Sequence, residues 1–159
     1  MRARYFYYFI AIVVIGIGVA AYRTYAPTTI VPADKLPTAE FAGVSLRIEL
    51  ATTTAKQELG LGGRTDVPDG YGMLFVFPKD GYYGFWMKDT LVPLDLFWLD
   101  ADRKVVFIAP DVATTTFPNV FYPSKLARYV LEMRAGFARA HLVATGTPLL
   151  LKDSSDVLQ

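Results

Sequence analysis

Asp95 stands in the run LDLFWL, between Leu94 and Leu96, in a segment that is apolar on both faces of any strand it forms. An ionised carboxylate in such a place costs several kcal/mol unless it is paired or hydrogen-bonded. Lys88, in FWMKDT, is the nearest cation in sequence, and Arg64 and backbone N–H groups are the other partners. A hairpin that sets Lys88 across from Asp95 also sets Trp86 across from Phe97, and strict alternation then puts all four on one sheet face. Two roles fit that pair: a buried ion pair that fixes register, or a polar anchor or general acid/base in an aromatic-lined groove.

Glu132, in YVLEM, lies on the strand face that also carries Arg128, Val130 and Arg134, opposite Tyr129, Leu131 and Met133. It reads either as a solvated face with a Glu–Arg pair or as a second carboxylate brought to Asp95 and Lys88, as in a glycosidase. Tyr82 and Tyr83 lie beside Gly81 and Gly84 and Tyr122 lies in a long loop; their rings and that of Trp86 suit stacking on a sugar or peptide.

Other chemistries lack their residues. One histidine, His141, and no cysteine leave no zinc set, no thiol nucleophile and no disulfide. His141 shares a helix face with Phe137, Ala140 and Ala144 and reads as a packing residue. Asp100 and Asp102 flank a turn without the rest of a calcium loop. LGLGGRT lacks the Gly-Lys-Ser/Thr of a phosphate loop, and no GxSxG occurs. No metal and no cofactor is implied.

The elements that must carry these residues follow from period and punctuation. Gly43–Leu50 alternates, with Val44, Leu46, Ile48 and Leu50 on one face and Ser45, Arg47 and Glu49 on the other. Residues 52–61 form a short helix capped by Thr53 or Thr54 and stopped by Gly60 or Gly62. Strands are expected at 73–77, 83–87, 94–99, 104–109, 127–133 and 148–152, a turn at 79–81 and another at 100–103. A second short helix is expected over 137–144, closed by Gly146, and residues 110–124 read as a long loop. The chain is expected to be all-β with two short helices, an antiparallel sandwich or barrel of jelly-roll type.

Ahead of this domain, Tyr5–Tyr22 is 18 residues without a charge. As a helix it spans about 27 Å, close to the hydrocarbon core of a bilayer. Arg2 and Arg4 before it favour a cytoplasmic N-terminus. The expected organisation is an anchor or signal over 1–25, an extended linker over 26–42, the β-domain over 43–152 and a tail over 153–159. The expected location is the cell membrane, single-pass, with the domain extracytoplasmic; cleavage of a signal peptide would leave it secreted or periplasmic. Of 16 basic residues three flank the apolar run, so the remaining 13 face 15 acidic ones with the signs interspersed. No basic stripe exists for a nucleic acid.

Three motifs in order, GMLFVF, FWMKDTLVPLD and YVLEMRAG, resemble domain-of-unknown-function family 192, an exported domain. The resemblance implies a compact, jelly-roll-like β-rich fold and places the family's recurring polar positions on Arg64, Lys88, Thr90, Asp95 and Glu132. Asp89 and Gly62 depart from it, standing where asparagine and methionine are common. It implies no activity. The expected function is a membrane-tethered, extracytoplasmic, non-catalytic binding or accessory module for an envelope glycan, peptide or protein partner. A small hydrolase using Asp95, Glu132 and Lys88, and a structural domain docking on a membrane protein, are the alternatives.

Overall fold

In the computed structural model of the chain the described residues are 35–152. The expected membrane segment at Tyr5–Tyr22, most of the linker and the tail lie outside them. Among the described residues no helix is long and apolar enough to cross a membrane.

The chain runs through β1 (Thr38–Phe41), β2 (Val44–Ala51), helix α1 (Thr54–Leu59), β3 (Tyr71–Gly81), β4 (Leu94–Leu99) and β5 (Val105–Val112). A 3₁₀ turn (Thr114–Thr116), β6 (Ala127–Arg134), helix α2 (Phe137–Ala140) and β7 (Leu149–Leu151) follow. The strands form one sheet in the order β5-β4-β6-β3-β2-β1-β7. The expected β-rich chain with two short helices is therefore what forms, but as one curled sheet rather than two stacked ones. One pair, β2 with β3, is parallel. Parallel neighbours need a crossover, and α1 with the segment 60–70 supplies it. The curl brings the two ends of the order together. Val105 N donates to Thr147 O at 3.0 Å, Gly146 N to Val105 O at 2.7 Å and Leu149 N to Arg103 O at 2.9 Å.

Local chemistry explains most of the pieces. Ala42 and Gly43, both at positive φ, make the two-residue turn that folds β1 onto β2. Residues 38–41 thus belong to the sheet and not to a linker, with Ala39 and Phe41 fully buried. Thr53 caps α1 by accepting from Lys56 N, and Gly60 ends it at positive φ. β3 continues through Pro78 to Gly81 where a turn is expected, because its pairing with β6, interrupted after Val76, resumes at Gly81 with Ala127. A proline costs least at such an irregularity.

β4 is buried at all six positions, as a central strand with both faces covered must be. Its two edges are filled by β5 and β6, so the expected hairpin with residues 83–87 does not form. That segment makes only an isolated bridge, Phe85 with Phe121. The two faces carry separate cores. Phe41, Ile48, Leu74, Phe97 and Leu131 pack on the inner face of the curl, and Met73, Phe75, Leu96, Trp98 and Val130 on the outer. His141 packs its ring on Phe137, centroids 4.4 Å apart.

A buried acid under an aromatic cavity

The outer face is where the polar residues converge. Glu49 on β2, Met73 on β3, Glu132 on β6 and Leu96 on β4 lie in one rung of the sheet. Laterally paired residues point to the same side, so both glutamates share the outer face with Met73 between them. Both are buried, at 6% and 5% exposure. Glu132 is not on a solvated face. Arg128 and Arg134 at the ends of β6 pair with Asp80 and Asp66, while α1 and the segment after it roof the middle of the strand.

The two acids are held in opposite states. Arg64 Nη2 donates to Glu49 Oε2 at 2.8 Å and its Nη1 to the Tyr71 hydroxyl at 2.7 Å, while Tyr71 donates to the same Glu49 oxygen. Burial pushes Glu49 up, but the Tyr71 and Arg64 hydrogen bonds outweigh it and hold the carboxyl below its ordinary value. Burial and the bond to Glu49 raise the Tyr71 phenol, which stays neutral. Glu132 goes the other way. Burial lifts it from 4.5 to about 8 against the pull of the Leu61 backbone N–H and the Arg64 charge. Its Oε2 has no hydrogen-bond partner. At neutral pH Glu132 is a carboxylic acid, able to donate as well as accept.

That acid lines a cavity of about 270 Å³. Phe75, Phe77, Tyr83, Phe85 and Trp86 give it an aromatic wall, and exposed Glu58 and Lys88 border it. Tyr83 stacks on Phe77 with centroids 3.6 Å apart. Trp86, 50% exposed, packs edge-on against Phe117. Thr90 is buried, its hydroxyl donating to Lys88 O at 3.3 Å. Gly60 closes the side next to the acid: a Cβ there would lie 3.3 Å from Glu132 Oε2 and 3.3 Å from Phe75 Cζ.

Five of the residues singled out from the sequence, Lys88, Thr90, Glu132, Trp86 and Tyr83, thus meet at one cavity, with Arg64 beside it. Asp95 does not join them. It pairs with Met133 in the sheet and so points to the inner face, away from Glu132. Its companion is not Lys88, which is exposed and forms no ion pair among the described residues. The Asp95 carboxylate, 0% exposed, accepts from Asp111 N and Ala138 N, each at 2.7 Å. The paired-carboxylate site of a glycosidase is absent at these two residues, because a sheet lies between them. Tyr82 and Tyr122 are exposed outside the cavity lining, Tyr122 resting on Gly84. Among the described residues no three His, Cys, Asp or Glu side chains come together as metal ligands.

Sequence reasoning missed Glu49, Tyr71 and Gly60. Alternation put Glu49 on a polar face with Ser45 and Arg47 and gave no sign that the far end of that face is covered. The available signal was Arg64, a cation beside a glycine-rich crossover.

The family model DUF192, described as "Uncharacterized ACR", matches residues 37–151. No curated protein matches the chain. Solved structures similar to the chain include the following two. A Sinorhizobium meliloti protein described as a candidate transcription regulator is 27% identical with a TM-score of 0.67, over 72% of this chain and 90% of that one. A Novosphingobium aromaticivorans protein of unknown function is 29% identical with a TM-score of 0.65, over 76% of this chain and 90% of that one.

Proposed function

Because this chain belongs to the DUF192 family, whose description assigns no activity, we propose its function from the site: a non-catalytic binding module. It is tethered to the membrane by Tyr5–Tyr22, faces the extracytoplasmic side, and takes part of an envelope glycan, peptide or protein partner into the cavity over Glu132. The observation that carries this reading is the Glu132 Oε2 atom, buried without a partner at the wall of an aromatic cavity. An unsatisfied buried polar group costs about 1–3 kcal/mol, which a ligand atom bonded to it would recover. No histidine, serine or cysteine lines the cavity, and Glu58 and Lys88, the charged groups at its edge, are exposed. The interspersed charges give nothing for a nucleic acid to follow.

The test is a glycan and peptide array probed with the full chain, wild type and Trp86→Ala. Trp86 is half-exposed, so its loss leaves the fold intact, and a ligand seated in the cavity loses affinity with it. Bound ligands indifferent to Trp86→Ala overturn the reading. A second reading, docking on a membrane protein, is favoured by the exposed apolar side chains of Trp86, Phe117, Val120 and Tyr122. Co-purification that depends on Phe117 and Tyr122 but not on Glu132 would select it.

A further inference from the structure

Resting on the reading of the cavity as a binding site, we propose that its ligand is an organic cation, an alkylammonium head group that enters among the rings and takes Glu132 as its counterion. The cavity sets one buried partnerless polar atom, Glu132 Oε2, against five aromatic side chains, with Glu58 and Lys88 exposed at its edge. A sugar ring seated beside Glu132 would leave the hydroxyls that face Phe75 and Phe85 unpaired, at a cost for each. An anion could be held only by the protonated acid, so its affinity would fall as pH rises towards about 8, the reverse of the dependence a cation gives. An ammonium group carrying methyls needs few hydrogen bonds, is attracted to ring faces, and requires one negative charge.

The charges around Glu132 permit this. On β6 itself Arg128 and Arg134 are paired with Asp80 and Asp66. From β2 comes Glu49, neutralised by Arg64 from the crossover, with Lys56 of α1 at 3.9 Å from it. Tyr71 of β3 is neutral. Flanking Met73 and Leu96 carry no charge, and the bordering Glu58 and Lys88 are opposite in sign. Glu132 is the buried acid left to answer an incoming cation, with the exposed Glu58 carboxylate at the cavity edge.

Proton balance follows. Glu132 holds its proton at neutral pH, raised to about 8. A bound cation favours the carboxylate, so the Glu132 O–H bond breaks and one proton passes to solvent for each cation taken up. Below pH 8 the affinity should therefore rise about tenfold per pH unit and level off above it.

The experiment uses the full chain in a maltoside detergent, which carries no ammonium group. The probes are choline and its uncharged isostere 3,3-dimethylbutan-1-ol, titrated calorimetrically from pH 6 to 9 in two buffers of different ionisation heat. Expected are binding of choline with close to one proton released at low pH, and an isostere at least about tenfold weaker, the cation–ring and ion-pair contributions being lost. Glu132→Gln should abolish the pH dependence, and Trp86→Ala should weaken choline by about 2- to 30-fold. An isostere that binds as well as choline, or choline binding with no proton release, overturns the cation assignment. So does the absence of choline binding at every pH. Either result leaves the cavity as a binding site, whose own failure is read separately from array ligands that ignore Trp86→Ala.

Discussion

Replacing Glu132 by glutamine exchanges an acid that the fold keeps protonated for an amide of the same shape that cannot ionise. The side-chain oxygen can still accept from the Leu61 backbone N–H, so the contacts survive and only the titration is removed. In the wild type the unfolded chain ionises at this position near 4.5, whereas the folded chain holds the proton up to about 8. Between those values the folded state binds more protons than the unfolded one, so stability falls as pH rises. Its contribution is fully present below 4.5 and is lost by the folded value. At about 1.4 kcal/mol per pH unit the window removes at most about 5 kcal/mol, comparable to the whole stability of a small domain. The assay is urea unfolding of both proteins from pH 4 to 9. With m near about 2 kcal/mol/M, the midpoints should coincide at pH 4 and separate by up to about 2 M at pH 8, glutamine being the more stable. Parallel curves across that window would refute the reasoning, because they would mean that Glu132 ionises in the fold without penalty.

Lys88→Ala should leave stability within about 0.5 kcal/mol of wild type, while Asp95→Ala, which orphans the N–H groups of Asp111 and Ala138, costs about 2–6 kcal/mol; chemical unfolding reads both. Arg64→Met should cost about 3–5 kcal/mol by taking the guanidinium from buried Glu49, which keeps only the Tyr71 hydroxyl and the more distant Lys56. In the wild type the lowered Glu49 contributes stability that is present above its ordinary value and lost as pH falls through the folded one; in Arg64→Met that dependence should weaken. Gln57 donates from Nε2 to Ala51 O at 3.1 Å and Val76 O at 2.9 Å, tying α1 to β2 and β3. Gln57→Ala should cost about 1–3 kcal/mol and speed amide exchange at Gly60, whose N–H bonds to Lys56 O.

Periodicity made β2 and β4 legible, the first by alternation and the second by a run apolar on both faces, and Thr53 and Gly60 marked the ends of α1. Three things were not legible, each for a physical reason. Residues 83–87 have the aromatic content of a strand, but propensity reports fit to a half-buried surface rather than pairing, and both edges of β4 were already taken. The parallel partnership of β2 and β3 depends on a crossover that no local pattern encodes. Asp95 did need a companion, as its apolar neighbours required, yet backbone N–H groups at Asp111 and Ala138 leave no side-chain signature. The same limit hid the site: alternation gives the face of Glu49 and of Glu132 within each strand, not that the two faces are one or that α1 and the residues after it cover it.

The central claim is that an acid at the wall of the aromatic cavity stays protonated at neutral pH and awaits a partner. The most direct measurement is the ¹³Cδ chemical shift of Glu132 in the full chain, assigned by its loss in Glu132→Gln and followed through a pH titration. A midpoint near 8 is the expected result. A midpoint near the ordinary carboxylate value would mean that water or a protein group already satisfies Glu132, and the cavity would lose the feature that makes it a site.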